Sequence, residues 1–175
     1  MTKKIINLFS AAIIATVLVA CGDKKKEEAI IAPEGMSVLD LTKFGKSFAI
    51  FVPDTTKAKL TVAEQTSGAL NIKVGTTFAI TINEQSADIE MKKTDIKSDE
   101  VNKFKSFITE EPTAIFWESE ITKPEFHFII NQKIGNTDYS IEDTKSTETE
   151  PLSKEATQKM FDSAKGIKEI KKQAA

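Results

Sequence analysis

Leu70-Asn71-Ile72-Lys73-Val74-Gly75-Thr76-Thr77-Phe78-Ala79-Ile80-Thr81-Ile82 is the stretch whose reading decides the fold. Leu70, Ile72 and Val74 alternate with polar neighbours, and Phe78, Ile80 and Ile82 repeat the alternation, the period of two that marks half-buried strands. Pairing Ile72 with Ile80 sets Val74 opposite Phe78 and Leu70 opposite Ile82, so all six face one core and Gly75 to Thr77 form the loop. A two-residue loop would set Phe78 against Lys73 and break that face.

Upstream, Leu60 and Val62 alternate in the same way. The same logic pairs Val62 with Leu70 and Leu60 with Ile72, around a turn at Gln65 to Ser67. Phe48-Ala49-Ile50-Phe51-Val52 is apolar on both faces and stops at Pro53-Asp54, as an inner strand covered on both sides does.

Downstream, from Ser86 to Ile108, the period shifts toward helix. Ile89 and Ile96 lie seven apart; Val101, Phe104 and Ile108 fall at i, i+3 and i+7, with Ser98 as N-cap and Asp99 and Glu100 in the first turn. Strand chemistry resumes at Ala114-Ile115-Phe116-Trp117, turns near Lys123-Pro124 and runs from Phe126 to Ile134. Gly135-Asn136 suits a two-residue hairpin turn. It places Ile130 opposite Ile141, Gln132 opposite Tyr139 and Lys133 opposite Asp138, so apolar and opposite-charge pairs fall on separate faces. After a polar linker, Ser153 caps a last helix carrying Ala156, Met160, Ala164 and Ile167, with Lys168, Lys171 and Lys172 near its favourable C-terminal end.

This order predicts an α+β domain: a largely antiparallel sheet of about seven strands, with one mid-chain helix and one C-terminal helix packed on it. Together with the Phe48 to Pro53 strand it resembles the PsbP-like fold, although no strand is read after the last helix. The resemblance implies a fold and carries no site residues.

The amino terminus speaks to location. Lys3 and Lys4 precede a nearly unbroken apolar run, Ile5 to Ala20, the layout of an export signal. Leu18-Val19-Ala20-Cys21 resembles the lipobox of bacterial lipoproteins. That resemblance implies cleavage between Ala20 and Cys21 and acylation of the Cys21 sulfur and amino group, which makes the attachment stable because one acyl chain alone holds a protein only marginally. The expected organisation is a signal peptide at 1–20, a lipidated cysteine with a flexible charged tether at 21–36, and a single globular domain at 37–175. Lys26-Glu27-Glu28 is similar to the lysine-plus-acid signals that send some lipoproteins to the outer face of the outer membrane; a merely solvated charge run is the competing reading. The expected location is the cell envelope, lipid-anchored, in the outer membrane.

Composition narrows the function classes. All 24 basic residues are lysine, so the guanidinium fork used for phosphate and guanine recognition is absent. Removing residues 1–20 leaves 22 lysines against 26 acids, which does not suggest a nucleic-acid binder. The single cysteine excludes an intrachain disulfide.

No residue set reads as catalytic, and no metal or cofactor is expected. Alternation puts the sole histidine, His127, opposite the face of Phe126, Phe128 and Ile130, and it reads as a satisfied strand residue. Asn136, Asp138, Ser140 and Glu142 place oxygens along a strand, which cannot wrap an ion as a calcium loop does, and read as a solvated hairpin face. Glu118 and Glu120 read as solvated surface. Trp117, with Phe116 beside it, is the one candidate for partner binding. The expectation is a membrane-anchored, non-catalytic binding or accessory module with an envelope protein or ligand as partner. The alternatives are a small-molecule carrier with an apolar pocket, and an enzyme with a carboxylate-based site.

Overall fold

The structure is a computed structural model that describes residues 30–144 and 151–170. The readings of the signal peptide, of Cys21, of the tether up to residue 29, of the linker at 145–150 and of Lys171 and Lys172 lie outside the described residues.

Among the described residues, ten strands and two α-helices form two sheets with helices on them. The larger sheet has seven antiparallel strands, in spatial order β3 (Leu60–Glu64), β4 (Leu70–Val74), β5 (Phe78–Asn83), β9 (Thr137–Asp143), β8 (Pro124–Ile134), β7 (Ala114–Glu120) and β6 (Lys103–Glu111). The smaller has β1 (Met36–Asp40), β2 (Phe48–Pro53) and β10 (Lys168–Glu169), with β2 in the middle. Helix α1 spans Ile89–Ser98 and α2 spans Lys154–Lys165. The α+β class is as the sequence predicts.

Period-two alternation builds the main core. Leu70, Ile72, Val74, Phe78, Ile80 and Ile82 are all buried on one face, in the register read from the sequence: Leu70 with Ile82, Ile72 with Ile80, Val74 with Phe78. Phe116, Phe128, Ile130 and Ile141 extend that face across the sheet. The small sheet closes it with Phe48, Ile50 and Val52, and α2 with Met160, Phe161 and Ala164. Phe161 joins the layers: its ring stacks on Phe116 at 5.6 Å and meets Phe128 edge-on at 5.8 Å. Ser153 caps α2 as read, its hydroxyl accepting the Ala156 N–H at 3.2 Å. The Gly135-Asn136 hairpin pairs Ile130 with Ile141, Gln132 with Tyr139 and Lys133 with Asp138.

Four readings are corrected. The second half of the mid-chain helix is strand β6. Asp99 turns the chain by accepting the Val101 and Asn102 N–H groups on Oδ1 at 2.9 and 2.8 Å, an Asx turn that competes with helix. Leu60 pairs with Val74 and Val62 with Ile72, two residues away from the expected register. The face is unchanged because a shift of two keeps the alternation; the connection is longer by two residues, and within it the Gly68 N–H bonds the Gln65 carbonyl and Gly68 takes a positive φ of 82°. Strand β1 was not expected; it begins at Met36, within the span read as tether. A short strand does follow the last helix: Lys168 and Glu169 pair with Ala49 and Phe48.

Phe116 is fully buried between sheet and helix, so Phe116→Ala should destabilise the protein by about 3–5 kcal/mol in urea unfolding. The turn after β2 carries a pH signature. Asp54 Oδ1 accepts the Thr56 hydroxyl at 2.7 Å and the Thr56 N–H at 3.0 Å, and these bonds hold its carboxyl below the usual 3.8. A folded-state value below the unfolded one stabilises at pH above the unfolded value and ceases to do so as pH falls through the folded value. Carboxyl NMR should place the Asp54 midpoint below 3.8 and return it toward that value in Thr56→Ala.

Candidate functional site

The other face of the large sheet is half apolar and half polar. On β7 and β8 the odd-numbered residues turn away from the main core. Ile115, Trp117 and Ile129 form a second cluster with Ile89 and Ile96 of α1, edged by Phe104 and Phe107. On β4, β5 and β9 the same face presents Asn71, Thr81, Asn83, Ser140 and Glu142, cross-strand partners or neighbours in register.

Three devices hold α1 over this face. Asp88 caps it, accepting the Met91 N–H at 2.9 Å. The Asn131 amide grips Ala87 at both ends, accepting its N–H at 2.9 Å and donating to its carbonyl at 2.8 Å. Lys93 bridges Glu90 on α1 and Glu110 on β6 at 2.8 and 3.1 Å, and the Glu90 bond, then the Glu110 bond, raises the Lys93 ammonium above its usual value.

Where the cover of α1 ends, a cleft of about 430 Å³ opens. Its floor is Trp117, His127 and Thr81; β9 contributes Glu142 and Asp143. The opposite wall is Lys92, Asp95 and Ile96 of α1, with Asp99 and Asn102 from the turn after it.

His127 and Trp117 are cross-strand partners with ring centroids 5.4 Å apart. His127 Nδ1 lies 2.8 Å from Asp143 Oδ2 and Nε2 lies 3.3 Å from Glu125 Oε2. Asp143 is tied down further, its Oδ1 accepting the Phe128 N–H at 2.7 Å. The imidazole is thus held between two carboxylates, and its nearest hydrogen-bonding partners include no hydroxyl or thiol. Activation of a nucleophile needs a hydrogen bond between the ring and a hydroxyl or thiol, whereas both ring nitrogens here face carboxylates.

The structure separates the two residues singled out for partner binding. Phe116 faces the main core with no exposed surface, so it offers nothing to a partner, whereas Trp117, though 7% exposed, lines the cleft. The polar ladder of β9 is not a wholly solvated face, since Ser140 is buried and Glu142 lines the cleft. The reading of the sequence missed the His127 contacts. The signal was there: the hairpin register that pairs Ile130 with Ile141 carries on to Phe128 opposite Asp143, beside His127.

Among the described residues, no group of three or more His, Cys, Asp or Glu side chains is arranged to hold a metal ion, and no helix is long and apolar enough to cross a membrane. No family model matches the chain, and no curated protein or solved structure matches it.

Removing Asp143 strips two partners at once. Asp143→Ala should cost about 3 kcal/mol in urea unfolding, and Asp143→Asn, which keeps an acceptor for Phe128, should cost less. Asn131→Ala should cost about 1–3 kcal/mol and speed amide hydrogen exchange selectively in α1, leaving α2 protected.

Proposed function

We propose that this chain is a lipid-anchored protein of the cell envelope that works as a non-catalytic binding module, taking a small ligand into the cleft beside α1. The observation that carries the reading is the cleft itself, a polar recess with an aromatic floor whose histidine is already held on both ring nitrogens. Ligand sites combine such an apolar surface with a few fixed polar groups. The lipobox-like Leu18-Val19-Ala20-Cys21 supports the anchor, and β1 begins 15 residues after Cys21. That length reaches at most roughly 50 Å when extended, enough to lift the domain off the headgroups of an outer membrane. The charged walls speak against an apolar cargo, and the engaged imidazole speaks against catalysis.

Two measurements test the reading on the full chain expressed in bacterial cells. The anchor requires that the protein partition into the detergent phase with an acylated Cys21 and that Cys21→Ser stay in the aqueous phase; an unmodified thiol at the mature terminus would overturn it. The binding role requires that a small molecule be released on denaturing the natively isolated protein, and that Thr144→Phe, a bulkier side chain at a residue just after β9 that also lines the cleft, reduce it at least about tenfold. Release of nothing, or equal release from both, would overturn the binding role.

A further inference from the structure

Resting on the lipid anchor of the proposed function, we propose that the domain docks on the bilayer holding that anchor, through the end of the sheet where Val101 and Ile121 stand exposed. The ladder of β6 and β7 closes there with Lys103 opposite Glu120, and β8 begins there with Pro124 opposite Glu120. Val101 lies just before that closing pair and Ile121 just after it, 70% and 48% exposed. Apolar side chains exposed singly need no explanation; these two flank one ladder pair at the tip of the sheet.

The chain enters the domain at the same end. Helix α2 climbs β8 in one direction: the Thr157 hydroxyl lies 3.4 Å from the Phe126 carbonyl oxygen, and farther along the Gln132 amide donates to the Ala164 carbonyl at 3.4 Å. Beyond the helix, Lys168 and Glu169 pair with Ala49 and Phe48. The start of β2 therefore lies toward Gln132, and its last residue, Pro53, toward Phe126. Pro53 pairs with Met36, and the chain reaches Met36 through a turn in which the Met36 N–H bonds the Pro33 carbonyl at 3.0 Å.

Length then sets the orientation. Twelve residues lead from Cys21 to Pro33 and reach at most about 40 Å, whereas β8, with 11 residues, runs about 36 Å. The Gly135 end could meet the bilayer only with that stretch drawn almost straight, at a cost in conformational entropy. The Val101 end meets it without such stretching. Little intrinsic affinity is needed, because the anchor makes the contact intramolecular. Charges of both signs are mixed at this end, with Lys57 paired to Asp54 and Glu100 close to Lys103 in sequence, so the contact is apolar and does not call for anionic headgroups.

The full chain, isolated with its lipid from bacterial membranes, is reconstituted in phosphatidylcholine vesicles whose acyl chains carry nitroxide quenchers. A fluorophore is placed on Ile121→Cys or, at the opposite end, on Asn136→Cys; Cys21 is the sole native cysteine, and its acylation leaves no other thiol to label. The label at 121 should be quenched at least about threefold more than the label at 136, and adding Val101→Glu to the Ile121→Cys protein should remove most of that difference. Equal quenching at both positions, or none at 121 in protein that floats with the vesicles, would overturn the docking and leave the anchor standing. Quenching at 121 that Val101→Glu does not lower would defeat the apolar contact, since proximity alone then accounts for it. A label at 121 shielded from aqueous iodide but untouched by the lipid quencher would show a protein surface covering this end, and would rule out the bilayer as its occupant. A parent chain that fails to float would overturn the anchor and the docking together.

Discussion

Burial of β7 and β8 on both faces is the constraint on which the rest of the molecule depends. A strand presents alternate residues to opposite sides, and here both sides are apolar. Phe116, Phe128 and Ile130 serve the core shared with α2 and the small sheet, while Ile115, Trp117 and Ile129 require a second cover. That need is met by α1, capped by Asp88 and gripped at its entry by Asn131. The outer face of β4, β5 and β9 is polar and does not call for such a cover. The boundary between the two halves is therefore a physical edge, where apolar floor and charged rim meet. The cleft lies along it.

Position along this edge also explains the chemistry. Trp117 has to be apolar to seat α1, and His127 opposite it has to be hydrogen-bonded because it is nearly buried. Asp143, at the end of β9, satisfies the ring and a backbone N–H that the ladder leaves over. A single local solution thus gives the recess both a flat aromatic surface and fixed acceptors.

Much of this was legible in the sequence, and for a stated reason. The hairpin of β4 and β5 and that of β8 and β9 have tight turns and clean alternation, so register follows from counting. Strand β6 was read as helix because it carries two irregularities, between Phe104 and Ser106 and between Phe107 and Thr109. Each inserts a residue, and the first of them brings Phe104 and Phe107, three apart, to the same side, opposite Ser119 and Trp117. A bulged strand then imitates helical spacing. Strand β10 is two residues long and is defined by its partner β2, not by its own pattern. The cleft depends on where α1 stops, which Asp99 decides through a turn that no hydrophobic period records.

The cleft is built between two packed elements, the sheet and α1, and its shape depends on their staying together. That packing comes down to whether α1 truly seals Trp117 from water. Steady-state emission and iodide quenching of the intact protein measure this directly. The sealed arrangement requires a blue-shifted Trp117 emission that iodide hardly quenches, shifting red and becoming quenchable when Ile96→Glu pries α1 from the sheet. Emission at the value of free tryptophan, quenched equally in parent and variant, would contradict the two-sided sheet from which the site is built.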